Sequence, residues 1–476
     1  MNEVSNFCNL NGKDQVCVNA NPNACPTLEP LTEDKCCLAC ETVDQEDRHD
    51  FPPYDIGNGA WDEQLFPAPL SYRTLPMSAD HHGGVKEYDA HNLYGLMEAR
   101  ATAEGVVAAT GRRPFVLSRS TFPGHGAHAA HWLGDNAAEW GDLRAALHGV
   151  LNFNLFGVPM VGSDVCGFVG TTTEELCARW MALGAFQPFS RNHNDKGAAP
   201  QEPYRWDSVA AVSRLALALR YRLLPHLYSL FFDAHSTGSL VAAPLWAAFP
   251  ADAATHAIDE QFLLGADVLV SPALHEGSDS VDAYFPCDTA ITVWYSLTDY
   301  SSSVECAVAG TGQRRTLDTP ISTFNVHARS GSILPLHGAL DATGAAPLTT
   351  VAARALPYDL LVALPGGGAG RDASGTLFLD DGEQVDLVSS TRVAYAAIAG
   401  SSGGSVSGTV EEDGCAGAAA ASLGSVTVLG LGSSLPASAT VNGVAAAAQL
   451  SGGAVVFDLS AAGLSMNQPF NLVWEM

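Results

Sequence analysis

The chain has 476 residues, more than one hydrophobic core accommodates, so roughly two to four domains are expected. Lys and Arg number 23 against 51 Asp and Glu, a net charge of −28 that repels phosphate backbones and speaks against nucleic acid as a partner. No run reaches about 18 uninterrupted apolar residues, so no membrane span is expected; the nearest, Leu215 to Phe232, is broken by Arg220, Arg222, Pro225 and His226.

The first residues, MNEVSNFCNLNGKDQ, lack the basic and apolar regions of a signal peptide, so none is expected. Six of the eleven cysteines lie between Cys8 and Cys40. An even cluster in Pro/Asn/Asp-rich sequence favours disulfides and an oxidising compartment. The rival is zinc, because Cys37 and Cys40 form a C-x-x-C. An odd total leaves at least one thiol free or paired outside the chain. There is no Asn-x-Ser/Thr sequon, so the compartment stays open.

Residues 1–60 read as an irregular cysteine-bearing insertion ending near Phe51-Pro52-Pro53-Tyr54. Residues 86–110 carry helical spacing at Leu93, Leu96, Met97 and Ala101. Short apolar runs follow at Pro114–Leu117, Val158–Val161, Ala185–Phe189 and Val241–Phe249. Helices are expected between them, near 137–154, 173–183 and 207–235. Pro225 is expected to kink or divide the last of these. Strand–helix alternation implies a parallel sheet with crossovers. Four such strands are half of an eight-stranded barrel, which leaves two unpaired edges. From about 258 the texture turns to short strands, at Gln261–Pro272, Ile291–Tyr295, Phe324–His327, Ser425–Leu429, Ala454–Leu459 and Phe470–Trp474. The low-complexity stretch 398–424 reads as a mobile loop.

The chemistry concentrates at the ends of the apolar runs. Arg119 follows the first, Asp164 the second, Arg191 and His193 the third. Polar residues at the C-terminal ends of successive parallel strands converge on one mouth. The stretch Arg112–Asn136 also delivers Trp132, a flat apolar face for a sugar ring, and Asp135, a candidate proton donor. The bland alternative is that these residues are helix caps and turn residues, and Asp164 alone fits that role.

Several long stretches, in order, are similar to glycoside hydrolase family 31, in the branch of lysosomal, intestinal-maltase and plant α-glucosidases. They are Met1–Phe7 (MNEVSNF), His91–Gly95 (HNLYG), Arg113–Phe122 (RPFVLSRSTF), His131–Asp135 (HWLGD), Val161–Phe168 (VGSDVCGF) and Gly184–Asn194 (GAFQPFSRNHN). Asn325–Gly331 (NVHARSG) and Phe378–Glu383 (FLDDGE) extend the match into the β-rich part. The resemblance implies an α/β plus all-β chain, the C-terminal half of a (β/α)8 TIM barrel followed by two β-sandwich domains. The expected boundaries are 1–257 for the barrel half with an insertion at 8–60, 258–353 for a proximal sandwich and 354–476 for a distal one.

The resemblance further implies a retaining double displacement on an oligosaccharide or maltose-like α-glucoside, without cofactor or metal. In such enzymes two carboxyl groups sit about 5–5.5 Å apart. Asp135 then corresponds to the acid/base. Arg119, Asp164 and His193 correspond to groups that hydrogen-bond the glucose hydroxyls, Trp132 and Phe168 to walls of the pocket, and Arg191 to support for the carboxylates and His193. Cys166 and Cys177 are implied as a disulfide. It also suggests the secretory pathway, a lysosome or vacuole, or the exterior. The departure is the nucleophile, which the family carries immediately before the Met-Asn-Glu motif, here Met1-Asn2-Glu3. Glu3, three residues beyond that position, is not an obvious substitute.

Three readings follow: a portion of an active α-glucosidase, a catalytically inactive sugar-binding or partner-binding remnant, and a zinc protein. The last uses the amino-terminal cysteines or His125, His128 and His131, although Gly124 and Gly126 argue for a loop there.

Overall fold

The computed structural model describes residues 47–50, 52–54, 70, 75–288, 291–339, 346–367 and 371–476. The Met1–Phe7 motif and the six cysteines between Cys8 and Cys40 lie outside the described residues. The chain divides into two compact units, residues 1–106 with 115–129, and residues 107–114 with 130–476.

In the first unit α1 (Glu87–Ala90) and a short 3-10 turn lead into α2 (Tyr94–Thr110), which continues into the second unit. Glu87 is buried and meets two rings, His81 Nε2 at 2.6 Å and His91 Nδ1 at 3.1 Å. β1 (Leu117–Ser118) follows, and His125 Nε2 lies 3.0 Å from Ser118 Oγ. Gly95 is needed beside Ser120, whose Oγ would stand 2.4 Å from any Cβ placed there.

The second unit begins as alternating strands and helices. β2 (Ala130–Trp132) pairs in parallel with β3 (Val161–Gly162), and β4 (Asp164–Val165) with β5 (Arg191–Asn192). Between them run α3 (Trp140–Leu155) and α4 (Glu174–Gly184), capped by Thr173. α3 buries Leu143, Ala146, Leu147, Val150 and Leu151, one apolar stripe at helical spacing. α5 (Asp207–Thr237) is long, and of the two outcomes expected at Pro225 division does not occur: Pro225 is buried inside the helix, which is packed against α4 and the β-rich part. One expectation fails. Residues 185–189 form turns, because Arg220 of α5 takes the carbonyls of Ala185, Gln187 and Pro188 (2.8, 2.6 and 2.8 Å) in place of a strand partner.

β6 (Ala242–Ala243) opens the β-rich part. Residues 261–272 are a hairpin and not one strand: β7 (Phe262–Leu264) turns at Gly265, φ +63°, into β8 (Val268–Ser271). β9 (Ser280–Phe285), β10 (Thr292–Ser296), β11 (Ser303–Cys306), β12 (Gln313–Asp318) and β13 (Asn325–Arg329) complete this segment. The six-stranded sheet order is β11-β10-β13-β8-β7-β6, and β12 pairs with β9.

An eleven-stranded sheet follows. It comprises β14 (Ser332–His337), β15 (Tyr358–Ala363), β16 (Arg371–Leu379), β17 (Thr391–Gly400), β18 (Gly403–Asp413), β19 (Leu423–Leu429), β20 (Ser438–Val441), β21 (Val444–Ala445), β22 (Ala447–Ser451), β23 (Ala454–Asp458) and β24 (Phe470–Glu475). The expected loop 398–424 is therefore largely strand, with β18 paired between β17 and β24. Its glycines make room for large rings: a Cβ on Gly404 would lie 2.4 Å from Trp474, and one on Gly408 2.4 Å from Phe470. The Phe378–Glu383 stretch is a tie to the barrel part. Asp380 receives Arg113 at 2.7 Å and the Tyr228 hydroxyl at 2.7 Å.

Disulfides join Cys166 to Cys177 and Cys287 to Cys306, and among the described residues Cys415 is a buried free thiol. Among the described residues no helix is long and apolar enough to cross a membrane.

Candidate active site

The rim is built on strands of two or three residues, so side chains hold much of its backbone. After Trp132 the chain turns at Gly134, φ +84°, and presents Asp135 to solvent. Asn136 then anchors this loop to the next. Its Nδ2 donates to the Asp164 carbonyl at 3.0 Å, and its Oδ1 accepts from the Phe168 amide at 3.2 Å. Its own carbonyl accepts from the amides of Phe168 and Val169. The 164–168 turn is tight: Cys166 and Gly167 both sit in the left-handed region, at φ 75° and 89°. A Cβ on Gly167 would lie 2.4 Å from the Ala138 Cα, so only glycine admits the close approach of the two loops.

Asp164 is wholly buried, and its Oδ1 receives Arg191 at 2.5 Å. Its Oδ2 is buried and has no partner among the described residues. Burial raises the Asp164 carboxyl above the usual carboxylate range; the Arg191 hydrogen bond and charge oppose this, and the Asp135 charge adds to it. The Arg191 guanidinium lies 5.7 Å from the Trp132 ring centre and 5.5 Å from that of Phe189, a cation held over aromatic faces. The His193 and Phe168 rings are 5.2 Å apart. The second unit thus gathers Trp132, Asp164, Phe168, Arg191 and His193, with Asp135 close enough to act electrostatically on Asp164. Arg119 belongs to the first unit, where it follows β1 and is half-buried.

Four positioning residues escaped the sequence reading: Asn136, Gln187, Gln201 and Arg220. Gln187 Oε1 accepts from both the amide and the hydroxyl of Ser163 (3.0 and 3.1 Å), and Trp180 donates to the same hydroxyl. Arg220 is nearly enclosed, and burial brings its guanidinium down to about 10. A buried amide within an apolar run, as in GAFQPF, is the signal that points to Gln187. The proposed metal histidines serve packing instead: His125 faces Ser118, and His131 stacks on Phe153 at 3.8 Å. Among the described residues no group of three or more His, Cys, Asp or Glu side chains is gathered as a metal site.

Carboxylates and aromatic rings gathered after short parallel strands are the arrangement found at the mouth of a barrel. Residues 1–230 match the TIM-barrel domain of glycosyl hydrolases family 31, and residues 238–334 match the C-terminal domain of that family. The chain belongs to glycosyl hydrolase family 31. It is 47% identical over 393 residues to a probable α-glucosidase of Oryza sativa subsp. japonica, covering 81% of this chain and 42% of that protein. It is 51% identical over 337 residues to an α-glucosidase of Hordeum vulgare, covering 71% and 36%. Among solved structures, a glucosidase II alpha subunit with Glc1Man2 bound superposes with a TM-score of 0.75 at 27% identity, covering 86% of this chain and 45% of that one. The chain spans less than half the length of these relatives.

Proposed function

We propose that the whole protein is a retaining α-glucosidase that releases glucose from the non-reducing ends of maltose- or starch-type substrates. The observation that carries this reading is Asp164, a buried carboxylate with one oxygen held by Arg191 and the other unpartnered. A buried oxygen without a partner is costly, and a sugar hydroxyl satisfies it. Asp135 on the adjacent loop acts as the acid/base. It protonates the leaving glycosidic oxygen, then takes a proton from the water that cleaves the glycosyl–enzyme bond. Trp132 and Phe168 wall the pocket, and His193 and Arg119 bind further hydroxyls. Arg191 orients Asp164 and opposes the upward shift that burial imposes on its carboxyl.

The scheme also requires a nucleophilic carboxylate. By motif its place is immediately ahead of the Met1-Asn2-Glu3 stretch, and the acid half and the sugar-binding groups are assigned to residues 1–476. The β-rich part is read as a proximal sandwich over 258–353 and a distal one over 354–476. The alternative is a protein that binds sugar or a partner without turnover.

The test compares the whole protein with residues 1–476 alone, using p-nitrophenyl α-D-glucoside. Hydrolysis by the whole protein and none by residues 1–476 is the expected result. Turnover by residues 1–476 would show that the nucleophile lies within them. No turnover by either would favour the binding alternative.

A further inference from the structure

The Asp164–Phe168 turn and the Arg191–His193 segment carry most of the groups assigned to the glucose, yet β4 and β5 pair over only two residues each. Arg191 reaches Asp164 at 2.5 Å at one end and the Asp195 amide donates to the Phe168 carbonyl at 2.9 Å at the other, which leaves the stretch between to a further tie. Gln201, which lies beyond both segments in sequence and is buried, reaches both. Its Nε2 lies 3.2 Å from the Val165 carbonyl and 3.0 Å from that of Gly167. The same nitrogen lies 3.1 Å from Asn192 Oδ1 and 3.3 Å from the His193 carbonyl. The amide of Asn192 answers by donating to the Gln201 carbonyl at 3.2 Å. One carboxamide nitrogen thus stands between Val165 and Gly167, which follow Asp164, and Asn192 and His193, which follow Arg191.

The surroundings explain why a neutral donor sits there. All four of its neighbours are oxygens: the Val165 and Gly167 carbonyls on either side of the left-handed turn that begins at Cys166, the His193 carbonyl and the Asn192 side-chain oxygen. Without an intervening N–H pair these oxygens would face one another unscreened in a buried site. The Cys166–Cys177 disulfide holds one side of the turn to α4, and its Cys166 sulfur also accepts from Asn192 Nδ2 at 3.6 Å. Asn136 holds the other side to the Asp135 loop.

We infer that Gln201 is a positioning residue that sets the separation of Asp164 and Phe168 from Arg191 and His193, and so tunes affinity for the glucose ring without taking part in proton transfer. This rests on the reading of the rim as a glucoside site. The inference divides the rim into two functions: Asp135 governs the chemical step, and Gln201 governs ground-state and transition-state binding alike.

The test is Q201E in the whole protein. It preserves size and replaces the donor with an oxygen facing oxygens. KM for p-nitrophenyl α-D-glucoside should rise by about ten-fold or more with kcat within about three-fold of the parent, the signature of lost uniform binding. Amide hydrogen exchange should accelerate locally, at residues 165–169 and 191–195. A fall in kcat at unchanged KM, or exchange that is unchanged in those two segments or raised evenly over the chain, overturns the inference. Local acceleration in a protein whose parent hydrolyses no α-glucoside sustains the clamp and overturns the glucosidase reading instead. Should Q201E not accumulate folded, Q201M removes the same donors with an unbranched chain of similar length and is read by the same measurements.

Discussion

The rim of the site and the eleven-stranded sheet are held together by different means. On the rim, strands run for two or three residues, and Asn136, Gln187, Gln201 and Arg220 supply hydrogen bonds that a ladder would otherwise make. In the sheet, β16, β17 and β18 run for 9, 10 and 11 residues and are joined by long antiparallel ladders, with one register shift between Arg392 and Val393. The core beneath is apolar, with Trp474, Phe457, Val428 and Leu472 essentially without exposure. A rim of this kind allows one side chain to shift a loop while the fold persists. A laddered sheet over an apolar core answers a single substitution with a loss of stability and little change of geometry.

The largest effect that this contrast predicts is chemical. In the whole protein Asp135→Asn keeps the size of the side chain and removes the transferable proton. Because general acid–base catalysis contributes about 10²–10⁴-fold and in the proposed scheme serves both steps, kcat should fall by about three orders of magnitude or more. Thermal stability should hardly move, since Asp135 is exposed on a loop. Steady-state kinetics with a chromogenic α-glucoside, beside a melting curve, reads both. Near-parental kcat would remove Asp135 from its role.

The second effect belongs to the sheet. Trp474 of β24 is packed against Phe457 at 5.3 Å and over Gly404 of β18. Trp474→Ala opens a cavity and should cost about 3–5 kcal/mol. The denaturant midpoint should fall while KM for the glucoside stays at the parental value. A marked change in KM would break the comparison by showing that the sheet sets rim geometry.

The same contrast explains what could be read from sequence alone. Helices at 140–155, 174–184 and 207–237 were legible to within a few residues because apolar periodicity is a local signal. Asp164, Arg191 and His193 were legible because polar residues that follow apolar runs stand out. Residues 185–189 misled because an apolar run looks like a strand until Arg220, more than thirty residues away, takes its carbonyls. The 398–424 stretch misled for a related reason. Gly404 and Gly408 read as loop composition, but their purpose is to admit rings from β24, which lies some sixty residues further on. The Gln201 clamp was invisible because its partners are mostly backbone carbonyls, which leave no trace in residue types.

The smallest effect is a pH dependence that should appear in the sheet and leave the rim aside. His337 of β14 is buried, its Nδ1 has no partner, and its ring lies 4.9 Å from that of Tyr358. Burial, and secondarily the charge of Arg354, bring it down to about 4 from an ordinary value of 6.5. The folded state therefore resists protonation that the unfolded chain accepts. Above pH 6.5 both states are neutral and His337 costs nothing. As pH falls from about 6.5 towards about 4 the unfolded state takes up the proton first, and stability is progressively lost, by about 3 kcal/mol at most. Below about 4 the loss levels off. His337→Gln removes the titrating group, so its stability should fall less steeply over that window, whatever its offset at neutral pH. Denaturant midpoints measured between pH 4 and 7 for parent and variant give the two slopes. Parallel slopes would mean that acid sensitivity originates elsewhere. His327 of β13, also brought down to about 4 by burial, is the next group to substitute in that event.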